Sequence, residues 1–202
     1  MIGKPKDYEK INIGGERITP GGHRCIIMEA AEATSQKGSQ MLVISFDTDA
    51  TDAQPMYYQN RYINDKRLDK KWGGKMYIVT GGEYGPANVK RFCTAVEDSN
   101  EGFSCWDDHD QLKLAELKNK LVGVVFREEE FLLPDGQCRW SVKGTRFCNY
   151  HKALDQKVPE PKPLHSDAKD QAFDRAFDAS NAANEGFMNI ADELEDEGLP
   201  FH

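Results

Sequence analysis

The sequence predicts a mainly β protein, a five-stranded Greek-key barrel with one or two helices, followed by an extended acidic C-terminal tail. Three observations support this fold class. Short apolar runs separated by turn-forming residues are typical of strands. One segment near the middle has apolar residues at helical spacing. The charge is also uneven, because residues 1–166 contain 24 acids and 24 bases, whereas residues 167–202 carry the whole net charge of -8.

The first two strands are predicted over residues 21–34 and 41–49, as a hairpin with Lys37 and Gly38 at its tip. Because side chains alternate between the two faces of a strand, every second apolar residue should face the core. These residues are Ile26, Met28 and Ala30 in the first strand and Leu42, Ile44 and Phe46 in the second. A third strand is predicted over residues 56–63, before a charged stretch and a short apolar run.

A helix is predicted over residues 85–100, where Pro86 suits a first turn. Its apolar residues at helical spacing are Val89, Phe92, Cys93 and Val96. A short second helix is predicted within residues 112–120, and two closing strands over 120–133 and 138–151. Three strands, a helix and two strands is the order of the OB-fold barrel. A β-sandwich is the alternative, because periodicity does not distinguish the two.

Composition divides the chain into three parts. We expect a barrel domain over residues 1–155, a proline-containing linker with a short helix over 156–184 and an acidic tail over 185–202. No apolar run has the length of a membrane span or of a signal peptide. The five cysteines are irregularly spaced, which favours free thiols over a disulfide framework. We therefore expect a soluble intracellular protein.

Residues 57–77 mix basic side chains with aromatic rings: six bases against two acids, interleaved with four tyrosines and one tryptophan. Cations neutralise phosphates, while aromatic faces stack unpaired bases for about 1–3 kcal/mol each. The pattern therefore indicates a surface for single-stranded nucleic acid. Its candidate residues are Tyr57, Tyr58, Arg61, Tyr62, Lys66, Arg67, Lys70, Lys71, Trp72 and Lys75. In the alternative interpretation, the tyrosines fill the core and the lysines form a solvated loop.

A second segment, residues 139–152, adds four bases and three aromatic residues without any acid. Its candidate residues are Arg139, Lys143 and Arg146. As the last strand of a barrel, this segment would flank the same groove as the third strand. The two segments together predict one continuous basic and aromatic surface on a body without net charge.

Known catalytic motifs are absent from the sequence, which lacks GxxxxGK[ST], GxSxG and HExxH. The sequence also has no CxxC pair, and buried free thiols explain its cysteines better than metal ligands do. We therefore predict a protein that is not an enzyme and that needs no cofactor or metal.

The C-terminus carries a resemblance to a known family. Five acids are followed by an apolar tip, and these residues are Asp192, Glu193, Glu195, Asp196, Glu197, Leu199, Pro200 and Phe201. This ending resembles the tip of the single-stranded DNA-binding proteins of bacteria and their phages. The body, with its segment 19–47, is similar to phage-encoded proteins of that class. One departure is His202, because the bacterial tip ends on its phenylalanine.

The resemblance implies an OB-fold that coats single-stranded DNA during replication, recombination and repair in the cytoplasm of a bacterial host. The tail would recruit helicases, nucleases or polymerases, and the oligomeric state stays open between a monomer and a homo-oligomer. Other functions stay open as well. They are an adapter or DNA mimic that binds a replication enzyme without touching nucleic acid, an RNA-binding OB protein and a nuclease. The tail itself could serve only solubility.

Overall fold

The computed structural model describes residues 17–36, 38–133 and 136–164. The strands are β1 (Gly21–Thr34), β2 (Gln40–Thr48), β3 (Lys75–Val79), β4 (Leu121–Leu132) and β5 (Cys138–Cys148), and the helices are α1 (Tyr57–Asn64) and α2 (Gly85–Glu97). Single 3₁₀ turns occupy Leu114–Leu117 and Tyr150–Lys152. The prediction of a mainly β structure is confirmed. The predicted linker helix and the acidic tail lie outside the described residues.

The chain divides into two compact units, of which the first comprises residues 1–129 and 140–162 and the second 130–139 and 163–202. In the second unit, the amide of Leu133 donates to the carbonyl of Gln137 at 2.9 Å. The amide of Leu164 there donates to a carboxylate oxygen of Glu130 at 3.0 Å. Both helices and most of the sheet belong to the first unit.

The strands form one sheet in the order β3-β2-β1-β4-β5. Strand β1 pairs antiparallel with β2 and with β4, and β2 pairs antiparallel with β3. The two outer strands also meet, since a Cβ atom on Gly144 of β5 would lie only 2.8 Å from Sδ of Met76 in β3. The sheet thus curls back on itself, which is consistent with a barrel-like fold.

The core lies inside this curled sheet. In β2 the predicted alternation is confirmed, because Leu42, Ile44 and Phe46 are all fully buried. In β1 the predicted face is wrong at its start: Cys25 and Ile27 are buried, whereas Ile26 and Met28 are only half-buried. The pairing of β1 with β2 shifts by one residue between Ile27 and Glu29, and this bulge returns Ala30 to the core side opposite Ile44.

The predicted strand over residues 56–63 is also wrong, because this segment forms the helix α1 and the third strand is Lys75–Val79. Hydrogen bonds from the end of β2 explain the helix. The carboxylate of Asp47 accepts the amides of Tyr58 at 2.8 Å and Gln59 at 2.9 Å, and Oγ1 of Thr48 accepts the amide of Tyr57 at 2.9 Å. These acceptors satisfy the amide groups that a helix N-terminus leaves unpaired.

The predicted helix over residues 85–100 is confirmed as α2, with Pro86 in its first turn and Phe92, Cys93 and Val96 buried. Within the described ranges, no helix is long and apolar enough to cross a membrane.

After β5, residues 149–162 form a segment that we call the strap, which packs on the face of β1 and β4 opposite the core. Gly22 and Gly123 make this packing close, because a Cβ atom on either would collide with Ala153 of the strap. At its end, the amide of Lys162 donates to the carbonyl of Glu128 at 2.8 Å, and Lys162 forms a parallel bridge with Glu129. Residues 156–162, which the sequence places in a linker, therefore pack on the first unit.

Candidate nucleic-acid interface

The rings of residues 57–72 form one aromatic cluster on the core. Tyr58 is its buried member, with 8% of its surface exposed and its ring centroid 5.7 Å from that of Phe46 in an edge-to-face contact. Burial raises the pKa of the Tyr58 hydroxyl well above its usual value. Since its faces are covered, Tyr58 holds α1 on the core and is not open to a stacking base.

The other three rings of the cluster are half-buried. Tyr57 packs against Tyr58 with 5.0 Å between ring centroids, and Tyr62 packs against Trp72 with 5.9 Å. The indole N–H of Trp72 donates to the carbonyl of Phe46 at 3.2 Å, which fixes the ring at the edge of β2. Partial exposure leaves Tyr57, Tyr62 and Trp72 as rings that a ligand could contact from one side.

Cations surround these rings. Nζ of Lys70 lies 4.4 Å from the ring centroid of Tyr62, and Nη1 of Arg61 donates to the hydroxyl of Tyr57 at 3.3 Å. Such cation–π and hydrogen-bond contacts hold flexible basic side chains next to the aromatic surface. Lys66 and Lys71 are exposed on the same connection between α1 and β3.

The guanidinium of Arg67 is paired locally with an acid. Its Nη2 lies 2.7 Å from Oδ2 of Asp65, and its Nε donates to the same carboxylate. Hydrogen bonds from the Arg67 side chain and amide lower the pKa of Asp65 to about 2. The pair has little net charge to offer a phosphate.

The outward face of β3 carries a row of side chains, and only the first of them was among the predicted site residues. Lys75 starts the row, followed by Tyr77 with 62% and Val79 with 44% of their surfaces exposed. In the neighbouring strand, Val43 lies opposite Tyr77 and Met41 opposite Val79. Tyr77 was outside the predicted set, although the alternation of residues 75–79 carries the signal that would have placed it on the outer face.

The contact between Met76 and Gly144 relates the two predicted segments. Both positions face the core. Their neighbours Lys75 and Lys143 therefore lie on the outer side of the line where β3 and β5 meet, which we call the seam. Lys143 is exposed there. Lys143 therefore lies on the outer side of the sheet, in the strand that meets the β3 row.

Two further predicted residues lie elsewhere. Arg146 is exposed near the end of β5, where its Nη2 donates to Oε1 of Gln156 in the strap at 3.0 Å. Arg139 is exposed and belongs to the second unit. All of the predicted partner-binding residues, from Asp192 to Phe201, lie outside the described ranges.

Among the residues that the structure describes, no group of three or more histidine, cysteine or acidic side chains is arranged to hold a metal ion. Cys25, Cys93 and Cys105 are buried thiols, Cys148 is half-buried and Cys138 is exposed. The arrangement around the seam thus offers cations, amphipathic rings and apolar side chains. Such a surface can bind polyanions and flat bases.

Comparison with the models of known protein families gives no match for this chain, and comparison with curated proteins gives none either.

Proposed function

We propose that this chain is a non-enzymatic, sequence-independent single-stranded DNA-binding protein of a phage, acting in DNA replication, recombination and repair in the host cytoplasm. The observation that carries the proposal is the seam between β3 and β5. The exposed ring of Tyr77 and the basic residues Lys75 and Lys143 lie there on the outer side of the sheet.

The fold that we propose is an OB-fold barrel. Three features support it: the strand order β3-β2-β1-β4-β5, the contact of β3 with β5 at Met76 and Gly144, and the position of α2 between β3 and β4. In OB-folds the face of the second and third strands binds oligonucleotides. Here that face carries the outward row of β3 with its partners Met41 and Val43.

The chemistry of this surface favours unpaired bases over a duplex. A base has an apolar flat face that stacks on an exposed ring, and each such stack is worth about 1–3 kcal/mol. Duplex DNA hides those faces, so a row made of the exposed Tyr77 and Val79 beside the half-buried Met41 and Val43 would gain little from it. The lysines around the row supply charge without base-specific geometry, which suits binding that is independent of sequence.

The acidic tail would act as the partner-binding element for helicases, nucleases or polymerases. Tethering gives a tail an effective concentration that reaches the millimolar range, so an acidic segment competes for a cationic surface until DNA displaces it. DNA binding would then release the tip of Leu199, Pro200 and Phe201. Because His202 follows Phe201, a partner would recognise the phenylalanine side chain without its terminal carboxylate.

A titration of fluorescently labelled oligothymidine at two salt concentrations tests the proposal. We expect tight binding that weakens as salt rises, because the bound lysines release counterions from the phosphates. Absence of binding, or binding that does not respond to salt, would contradict the proposal. Competition with an RNA oligomer of the same length tests the preference for DNA, since only the 2′-hydroxyl and the base methyl differ. The length of the oligonucleotide is measured during the same titration, with and without added divalent metal. We expect it to stay constant, whereas shortening would reveal nuclease activity.

The acidic tail also favours a second candidate, an adapter or DNA mimic that binds a replication enzyme and not nucleic acid. Removing residues 185–202 separates the two functions. A DNA-binding protein keeps or gains affinity for the oligomer when its internal competitor is removed, whereas an adapter shows no affinity for the oligomer in either form.

A further inference from the structure

The strap is a second basic surface, which the seam does not include. Residues 140–162, which run from β5 through the strap, contain five lysines and arginines and two acids, Asp155 and Glu160. Of these basic residues, Lys143 lies at the seam, and Arg146 and Lys152 are exposed further along the chain. The basic character therefore continues beyond the seam, from β5 onto the strap.

Hydrogen bonds link the cations of β5 to the strap. Gln156 accepts from Nη2 of Arg146 at 3.0 Å, and its own Nε2 donates to the backbone carbonyl of Lys152 at 3.1 Å. One glutamine thus connects the side chain of Arg146 to the turn that carries Lys152. His151 is exposed in the same turn, where Asn149 Oδ1 accepts its amide at 2.8 Å.

The aromatic ring of this turn is not available for stacking. Tyr150 has only 8% of its surface exposed, and the guanidinium carbon of Arg24 lies 5.5 Å from its ring centroid. Its hydroxyl donates to the carboxylate of Asp49 at 2.6 Å, which also accepts from Thr51. The strap consequently offers cations to a ligand but no exposed tyrosine or tryptophan, in contrast to the seam with its exposed Tyr77.

We propose that the strap, together with Arg146 at the end of β5, binds the phosphodiester backbone of a single strand after that strand leaves the seam. Arg146 and Lys152 are the phosphate-binding residues of this second part of the track, with His151 beside them. The proposal rests on the proposed function and adds a division of roles. The seam binds both bases and phosphates, whereas the strap binds phosphates alone and is reached only by longer strands.

The salt dependence of binding by the full-length protein tests this division. Each phosphate contact with single-stranded DNA contributes about 0.7 to the slope of log K against log salt, so losing two contacts should lower its magnitude by about 1.4. We compare Arg146→Ala/Lys152→Ala with Lys90→Ala/Lys118→Ala, which removes two exposed cations from α2 and from the residue after the Leu114–Leu117 turn. Because both variants lose two charges, a difference between them reports position and not net charge.

Oligothymidine of about 6 nucleotides should occupy the seam alone, and one of about 20 nucleotides should reach the strap as well. We expect the strap variant to lose slope only with the long oligomer and the control variant with neither. An unchanged slope with the long oligomer, or an equal loss with both lengths, would overturn the inference while the proposed function stands. If the unaltered protein binds neither oligomer, the proposed function fails and the inference fails with it.

Discussion

Nδ1 of His23 lies 2.8 Å from Oδ1 of Asp52, and both side chains are buried. Nε2 of the same ring lies 2.9 Å from the carbonyl oxygen of Thr19, which can only accept a hydrogen bond. Oγ1 of Thr19 lies 3.2 Å from the same Nε2, so both ring nitrogens have polar partners. The amides of Arg24 at 2.7 Å and Gln54 at 2.9 Å also donate to the carboxylate of Asp52. This pair joins β1 to the turn that leads into α1.

The first prediction concerns this pair. Asp52→Asn replaces a buried carboxylate oxygen that accepts hydrogen bonds and leaves its partners incompletely satisfied, so we expect a loss of about 1–3 kcal/mol in the free energy of unfolding. Urea denaturation near neutral pH measures the loss. Asp69→Asn, in the exposed loop after α1, is the control and should change the stability by less than about 0.5 kcal/mol. Equal stability of the two variants would contradict a stabilising role for the buried pair of His23 and Asp52.

The second prediction concerns acid. Burial alone would raise the pKa of Asp52, but hydrogen bonds from His23 and from the amides of Gln54 and Arg24 outweigh it and lower the pKa below its usual value. A lowered pKa in the folded state gives stability that is present above the unfolded value, about pH 4, and is lost as the pH falls through the folded value. The stability difference between the unaltered protein and Asp52→Asn should therefore narrow below about pH 4. A difference that stays constant down to pH 2 would count against this account.

The third prediction concerns Asp47, which holds the N-terminus of α1. Asp47→Ala leaves the amides of Tyr58 and Gln59 without their acceptor and should cost about 1–2 kcal/mol in thermal or urea denaturation. Burial raises the pKa of Asp47, although the amides of Tyr58, Gln59 and Thr48 oppose the rise. Because the buried charge is costly while an acceptor oxygen is needed, we expect Asp47→Asn to be tolerated better than Asp47→Ala. Identical losses in the two variants would mean that the capping bonds contribute nothing.

The fourth prediction tests the closure of the sheet. Gly144→Ala places a methyl group 2.8 Å from Sδ of Met76 and 3.2 Å from Cγ1 of Val124, and we expect a loss of about 1 kcal/mol. Met76→Ala removes the nearest atoms, so the double variant should be more stable than the sum of the two single losses predicts. Gly81→Ala is the control, since a Cβ atom there meets nothing within 4 Å. Strict additivity of the two changes would show that β3 and β5 do not touch in solution.

The fifth prediction concerns Tyr77, the most exposed ring of the outward β3 row. Tyr77→Ala should weaken oligothymidine binding by about 1–3 kcal/mol, the range for the loss of one stacked base. Since the ring is largely solvated, the unfolding free energy should change by no more than about 0.5 kcal/mol. Trp106→Ala removes a partly exposed ring from the loop after α2 and serves as the control for binding. Unchanged affinity of Tyr77→Ala for the oligomer would show that the β3 row is not part of the DNA-binding surface.

The sequence predicted the strands with clear apolar runs and the helix α2, because their periodicity is set by burial on one face. It failed at residues 56–63, where tyrosines have strand propensity but Asp47, nine residues earlier, supplies a helix cap. In a strand, alternation would place Tyr58 and Tyr62 on one face and Tyr57 and Arg61 on the other, and the helix keeps both pairs together. Residues four apart share a face in a helix as well as in a strand, so these pairs are the same in the predicted strand and in the observed helix.

Two other features depend on tertiary structure and leave no local signal. The bulge between Ile27 and Glu29 exchanges the faces of β1, and only the pairing with β2 reveals it. The seam depends on a glycine in β5 opposite a methionine in β3, which are 68 positions apart in the chain. Their contact decides that Lys143 lies beside Lys75, whereas the sequence could only suggest that the two basic segments share a groove.

The hydrogen bond from the indole of Trp72 to the carbonyl of Phe46 holds a fluorescent side chain in a fixed position at the edge of β2. The protein has three tryptophans. Trp72 is the one that packs against Tyr62, whose ring also contacts Nζ of Lys70. A protein with Trp106→Phe and Trp140→Phe would carry its only indole at the junction of core and cluster. Quenching or a wavelength shift of that single emitter on adding an unlabelled oligomer would then report occupancy of the α1 side directly, without a dye on either molecule.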